Sequence, residues 1–137
     1  MAKILIADDK EENRFVLSNF FKLFGPNSHI DIIEASNSKE AVEKAKAEKP
    51  DLILLDIKME TNDAGLLALN EIRDILDLKD VKIWAITAQA QDALQTNIFD
   101  DYIMKPFDII QLLQKVSESL NIKIPESTQK KIDCMRD

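Results

Sequence analysis

Unbroken apolar stretches of four residues, each bordered by charge on at least one side, occupy positions 4–7, 52–55 and 83–86. A strand with one wet face alternates apolar with polar side chains, so these runs call for strands covered on both faces, as in a parallel sheet between helices. A weaker run at 30–35 and a shorter one at 102–104 complete a set of five expected strands. The intervening segments carry helical spacing instead. Their apolar positions are Val16, Phe20, Leu23 and Phe24, then Ala41, Val42 and Ala45, then Leu66, Leu69, Ile72 and Ile75, and finally Ile109, Leu112, Leu113, Val116 and Leu120. Strands alternating with helices predict an α/β sheet, and 137 residues is the length of one domain.

Turn chemistry marks the same boundaries. Gly25-Pro26 can end the first helix, Asn37 with Glu40 has the form of a capping box, and Pro50 closely follows the second helix. The crossover between the fourth and fifth strands is the weakest. From 88 to 101 only Ala90, Ala93, Leu94 and Ile98 suggest a helical face, which predicts a shortened fourth helix of about two to three turns. Beyond Leu120, Ile122, Ile124 and Pro125 lead into a polar tail of mixed charge. The expected organisation is a principal domain over 1–120 and a tail over 121–137 that is either disordered or a short docked helix.

Composition removes several function classes. With 25 acidic and 18 basic residues the formal charge is −7, the wrong sign for holding nucleic acid through its phosphates. Gly25 and Gly65 are the only glycines, so neither a GxGxxG turn nor a GxxxxGK[ST] loop can be written. One histidine, His29, and one cysteine, Cys134, rule out Cys/His zinc sites, an intrachain disulfide framework and Ser/His or Cys/His nucleophile pairs. No apolar stretch approaches the roughly 20 residues of a membrane span, and the first run is too short for a signal-peptide core. The chain reads as soluble and cytoplasmic.

Open parallel sheets bind ligands outside the carboxyl ends of their strands. The first run ends in Asp8-Asp9, the third in Asp56, the fourth in Thr87 and the fifth in Lys105-Pro106. Clustered carboxylates repel one another unless a cation sits among them, and oxygen-only ligands favour a hard ion such as Mg²⁺. An ammonium and a hydroxyl, Lys105 and Thr87, can receive the oxygens of an incoming phosphoryl group. Asp56 could then attack phosphorus as a carboxylate nucleophile, giving an aspartyl phosphate.

The segments ILIADDKEENR, PDLILLDIKM, the TA after the fourth strand and DDYIMKPF, in that order over residues 3 to 120, resemble a response-regulator receiver domain. The resemblance implies a flavodoxin-like, doubly wound, five-stranded parallel sheet of order 2-1-3-4-5 with helices on both faces, and it makes residues 1–120 the receiver domain. It also implies Asp56 as phosphoacceptor and Mg²⁺ on Asp8, Asp9, Asp56 and the backbone carbonyl of Lys58. Lys105 would pair with the phosphoryl group and precede a cis bond to Pro106. Thr87 and Tyr102 would be the switch residues, Thr87 moving toward the phosphate and Tyr102 swinging inward behind it. The implied partners are a sensor histidine kinase or histidine phosphotransfer protein as donor and a downstream protein as target, without direct nucleic-acid contact or membrane insertion. Such a domain catalyses its own phosphorylation and is not a turnover enzyme.

The chain also departs from the family pattern. Met59 is followed by Glu60 where relatives commonly have Pro, Gly65 lies nine positions after Asp56 instead of eight, and no glycine precedes the fifth strand. These departures keep two alternatives open. One is a pseudo-receiver that binds partners without being phosphorylated. The other is a Mg²⁺-dependent phosphohydrolase working through an aspartyl phosphate, which commonly needs an Asp where Lys58 stands. Elsewhere, Trp84 reads as core, His29 as a surface residue entering the second strand, and Phe15, Phe20, Phe21 and Phe24 as packing of the first helix.

Overall fold

A computed structural model describes residues 2–88 and 98–136. Five strands, β1 (Ala2–Ala7), β2 (Ile30–Ala35), β3 (Leu52–Asp56), β4 (Lys82–Thr87) and β5 (Asp101–Met104), form one sheet of order β2-β1-β3-β4-β5. All four neighbouring pairs are parallel. The described helices are α1 (Glu11–Phe21), α2 (Ser38–Glu48), α3 (Ala64–Arg73), α4 (Ile109–Leu120) and α5 (Glu126–Arg136). The shortened helix expected between the fourth and fifth strands falls on residues 89–97, outside the described residues.

Alternation along the buried strands sorts their side chains onto two faces. Ile4, Ile6, Leu52, Leu54, Trp84 and Ile86 join a core with Leu17 and Phe21 of α1 and with Leu112, Leu113 and Val116 of α4. Leu5, Ala7, Ile53, Leu55 and Ile83 face the opposite way, onto Ala41 and Ala45 of α2 and Ala68, Leu69 and Ile72 of α3. The sheet is therefore doubly wound, with the flavodoxin-like order expected from the resemblance. The Asn37 side chain accepts from the Glu40 amide at 2.8 Å, while the Glu40 carboxylate reaches back to the Ser36 amide at 2.9 Å. That reciprocal pair fixes the start of α2.

One local reading changes and one open alternative is decided. The apolar face of α1 is turned by one residue: Leu17 and Phe21 are buried, whereas Val16 is at the surface and Phe15 is 64% exposed. The run from Phe15 to Phe24 carries apolar residues on every side, so spacing alone cannot set its phase. In the tail, residues 126–136 form the helix α5, and it is docked. Ile132 is buried in the same core as Phe21, Phe24 and Val116. The Thr128 hydroxyl donates to the Leu23 carbonyl at 3.0 Å.

Candidate functional site

The chain leaves β1 for β2 on one side and returns to β3 on the other, so the carboxyl ends of β1 and β3 flank the crevice where the strand order reverses. Register decides what meets there. Ala7 pairs with Leu55, which sets Asp8 level with Asp56; Asp56 pairs with Ile86, placing Thr87 one step on. Thr87 pairs with Met104, and the Lys105 amide donates to the Thr87 carbonyl at 2.8 Å. The peptide bond from Lys105 to Pro106 is cis.

Asp8 is fully buried. One of its carboxylate oxygens accepts from the Lys10 amide at 2.9 Å; the other accepts from the Asn13 side-chain amide at 3.2 Å and lies 3.2 Å from the Lys105 ammonium. Asp56, 4% exposed, accepts from the Lys58 amide at 3.2 Å on one oxygen and from the Lys105 ammonium at 2.9 Å on the other. Asp9 is exposed, yet ligand oxygens of Asp8, Asp9 and Asp56 all lie within 4.8 Å of one another. Asp8 and Asp56 thus share one ammonium, with the Asp9 carboxylate close by.

Excess negative charge shows in the proton affinities. Burial, with the charge of Asp8 behind it, pushes the Asp56 carboxyl up to about 6 against the pull of Lys105. Burial works to depress the Lys105 ammonium, but hydrogen bonding and attraction to Asp56 and Asp8 outweigh it and hold the ammonium above its ordinary range. Largely buried, with Asp9 alone exposed, and oxygen-only, the set suits a hard divalent cation. It would relieve the repulsion that remains between the carboxylates beside Lys105.

A cleft of about 280 Å³ opens over these groups and is lined by Asp9, Asp56, Lys58, Thr87 and Lys105 among others. Thr87 is buried at its floor and Lys58 is exposed at its side. The structure therefore gathers Asp8, Asp9, Asp56, Lys58, Thr87 and Lys105 at one sheet edge. Tyr102 stands apart from that group. Its ring is 38% exposed and lies under the Lys115 ammonium, 5.2 Å from the ring centroid.

Several supporting residues escape a reading by strand ends. Asn13 holds the Asp8 carboxylate, and Arg14 donates to the Asp8 carbonyl at 2.7 Å while pairing with Glu34 at 3.0 Å, so the first turns of α1 brace the β1 end. They lie five and six residues after Asp8, across the turn that joins β1 to α1, where no helical spacing links them to it. Gly65 packs on the β3 end so closely that a Cβ would lie 2.3 Å from the Asp56 carbonyl oxygen. Glu60 accepts from the Ser38 amide at 3.0 Å and from the Ser38 hydroxyl.

Comparison with known proteins agrees with this geometry. The family profile of the response regulator receiver domain matches residues 4–117. The chemotaxis protein CheY of Bacillus subtilis is 34% identical over 122 residues, covering 87% of this chain and 98% of the relative. The response regulator VraR of Staphylococcus aureus is 34% identical over 133 residues, 90% of this chain but 60% of the relative. The chain thus spans nearly all of the chemotaxis protein and about half to three-fifths of longer regulators. Among solved structures, TrrA of Thermotoga maritima in complex with Mg²⁺ and beryllofluoride aligns with a TM-score of 0.72 at 31% identity, covering 87% and 99% of the two chains. The receiver domain of a Pseudomonas aeruginosa sensor histidine kinase, with magnesium coordinated in its active-site cleft, aligns with a TM-score of 0.76 at 26% identity, covering 88% and 98%. By fold, by motif order and by these likenesses, the chain belongs to the response regulator receiver domain family of two-component signalling.

Proposed function

We propose that this receiver accepts a phosphoryl group on Asp56 and that Asp8, Asp9, Asp56 and the Lys58 carbonyl hold the Mg²⁺ that the reaction uses. The observation that carries the reading is the convergence of three carboxylates within 4.8 Å, two of them on one shared ammonium. Bound there, the ion would supply neutralising charge for the phosphoryl oxygens. An ionised Asp56 oxygen forms the new bond to phosphorus as the bond from phosphorus to the donor breaks. The donor, a phosphohistidine or a small acyl phosphate, leaves with the bonding electron pair. Lys105, already on Asp56, transfers its hydrogen bond to a phosphoryl oxygen, and the Thr87 hydroxyl donates to another.

The phosphate adds about −1.5 to −2 charges and three strong acceptors at the end of β3, beside Thr87 of β4 and Lys105 after β5. Thr87 and Tyr102 would pass that change to the surface, Tyr102 by leaving its position under Lys115. The donor would be a sensor histidine kinase or histidine phosphotransfer protein, and the recipient of the signal a downstream protein. Residues 1–120 would form the receiver and 121–137 its appended tail. Among the described residues no helix is long and apolar enough to cross a membrane.

Incubation with Mg²⁺ and acetyl phosphate followed by intact-mass measurement tests the proposal. A gain of one phosphoryl group in the native chain, lost in Asp56→Asn and in chelator, is the expected result. An unmodified chain that still binds Mg²⁺ would favour the pseudo-receiver, and multiple turnover on a small phosphoester would favour the hydrolase.

A further inference from the structure

The loop from β3 to α3 carries Lys58, and its two ends are tied down. The Ile57 amide donates to the Ile86 carbonyl at 3.2 Å, and the Gly65 amide to the Ile57 carbonyl at 2.9 Å. Met59 is buried in the core beside α2 and α3. Residues 60–63 form an exposed lobe between these anchors, with bonds of its own: Met59 amide to Thr61 carbonyl at 3.1 Å, and Thr61 hydroxyl to Asp63 carboxylate at 2.8 Å. Contacts inside a lobe hold its shape but do not orient it against the rest of the molecule.

Glu60 reaches out of the lobe. Its carboxylate accepts from the amide of Ser38, at 3.0 and 3.1 Å to the two oxygens, and from the Ser38 hydroxyl. Ser38 is the first residue of α2, where backbone amides lack intrahelical acceptors and the helix dipole favours negative charge. The helix has its own cap as well: Asn37 takes the Glu40 amide, leaving the Ser38 amide to Glu60. Because Ala41 and Ala45 are fully buried, α2 is a firm post.

We propose that Glu60 is a positioning residue for the cation site: tethered to the start of α2, it orients the loop so that the Lys58 carbonyl, two residues earlier, is held for the ion. The inference rests on the ligand set proposed above. The Glu60–Ser38 contact then supports the site as well as capping the helix.

Calorimetric titration of Mg²⁺ into the metal-free full chain separates the two roles. Glu60→Ala is expected to weaken Mg²⁺ binding about tenfold, the usual scale for groups that orient metal ligands, and Glu60→Gln, which keeps an acceptor, to weaken it less. Asn37→Ala removes the helix's own cap without touching the loop, so it should lower the melting temperature and leave Mg²⁺ affinity within about twofold. Native affinity in Glu60→Ala, or equal losses in Glu60→Ala and Asn37→Ala, would overturn the proposal, because the contact would then serve only the helix. A native chain that binds no Mg²⁺ would instead overturn the ligand set itself, a failure visible before any variant is made.

Discussion

The two ends of the sheet handle charge in opposite ways. Among the described residues, the buried polar or charged ones are Asp8, Asp56 and Thr87, and all three lie at the carboxyl end. At the amino end charge stays in water: Lys3 and Glu48 face each other at 3.7 Å with side chains 39% and 43% exposed. There burial is apolar, through Phe24 and Ile132. A larger groove also opens at that end, about 660 Å³ beside Phe21, Gly25 and Ile30, but among the described residues no metal-binding cluster of carboxylates lines it. One end is thus held by apolar packing, while the other carries the buried charge.

If that division is right, stability and phosphorylation chemistry respond to different substitutions. Ile132→Ala empties a packed position under α5 and should cost about 2–4 kcal/mol in urea unfolding while leaving Mg²⁺ affinity and phosphoryl gain unchanged. Loss of Mg²⁺ binding in a still-folded Ile132→Ala protein would break the comparison.

Asp56→Asn should act in the opposite sense, abolishing phosphorylation yet stabilising the metal-free chain at pH 7 by about 1–3 kcal/mol. The sign follows from the Asp56 carboxyl, raised from 3.8 to about 6 by burial first and then by the charge of Asp8. In that window the folded state holds the proton more tightly than the unfolded chain, so the stability tied to it is present at low pH and is lost as pH rises through about 6. The gain from Asp56→Asn should therefore shrink as pH falls toward 4, and Mg²⁺ affinity of the native chain should fall below pH 6 as protons compete for Asp56. A variant that is less stable than the native chain at pH 7 would show that Lys105 compensates Asp56 more fully than its setting implies.

The smallest effect belongs to the exposed pair. Glu48→Gln should change unfolding free energy by less than about 0.5 kcal/mol, because solvent screens the pair and its side chains are costly to order. A loss above 1 kcal/mol, read by urea unfolding at the same pH, would mean that charge at the amino end is not idle.

How much of this was legible in the chain follows the range of the interactions involved. Runs such as 52–55 and the carboxylates after them are local patterns, and parallel pairing carries them into one row, so the strands and the strand-end cluster could be read directly. Spacing failed in α1, where apolar residues surround the helix and packing against Ile4 and Ile6 selects Leu17 over Val16. It also left the tail open, since one buried residue, Ile132, and one bond from Thr128 to the distant Leu23 carbonyl dock α5. The contact of Glu60 with Ser38 joins residues 22 apart through folding alone, which no local pattern encodes.

Reductive trapping addresses the central claim most directly. Borohydride converts an aspartyl phosphate to homoserine, so the native chain treated with Mg²⁺ and acetyl phosphate, reduced, digested and mapped by mass spectrometry should carry homoserine at position 56. Homoserine at position 8 or 9 instead, or none in a chain that has gained a phosphoryl group, would contradict the assignment of Asp56 as the acceptor.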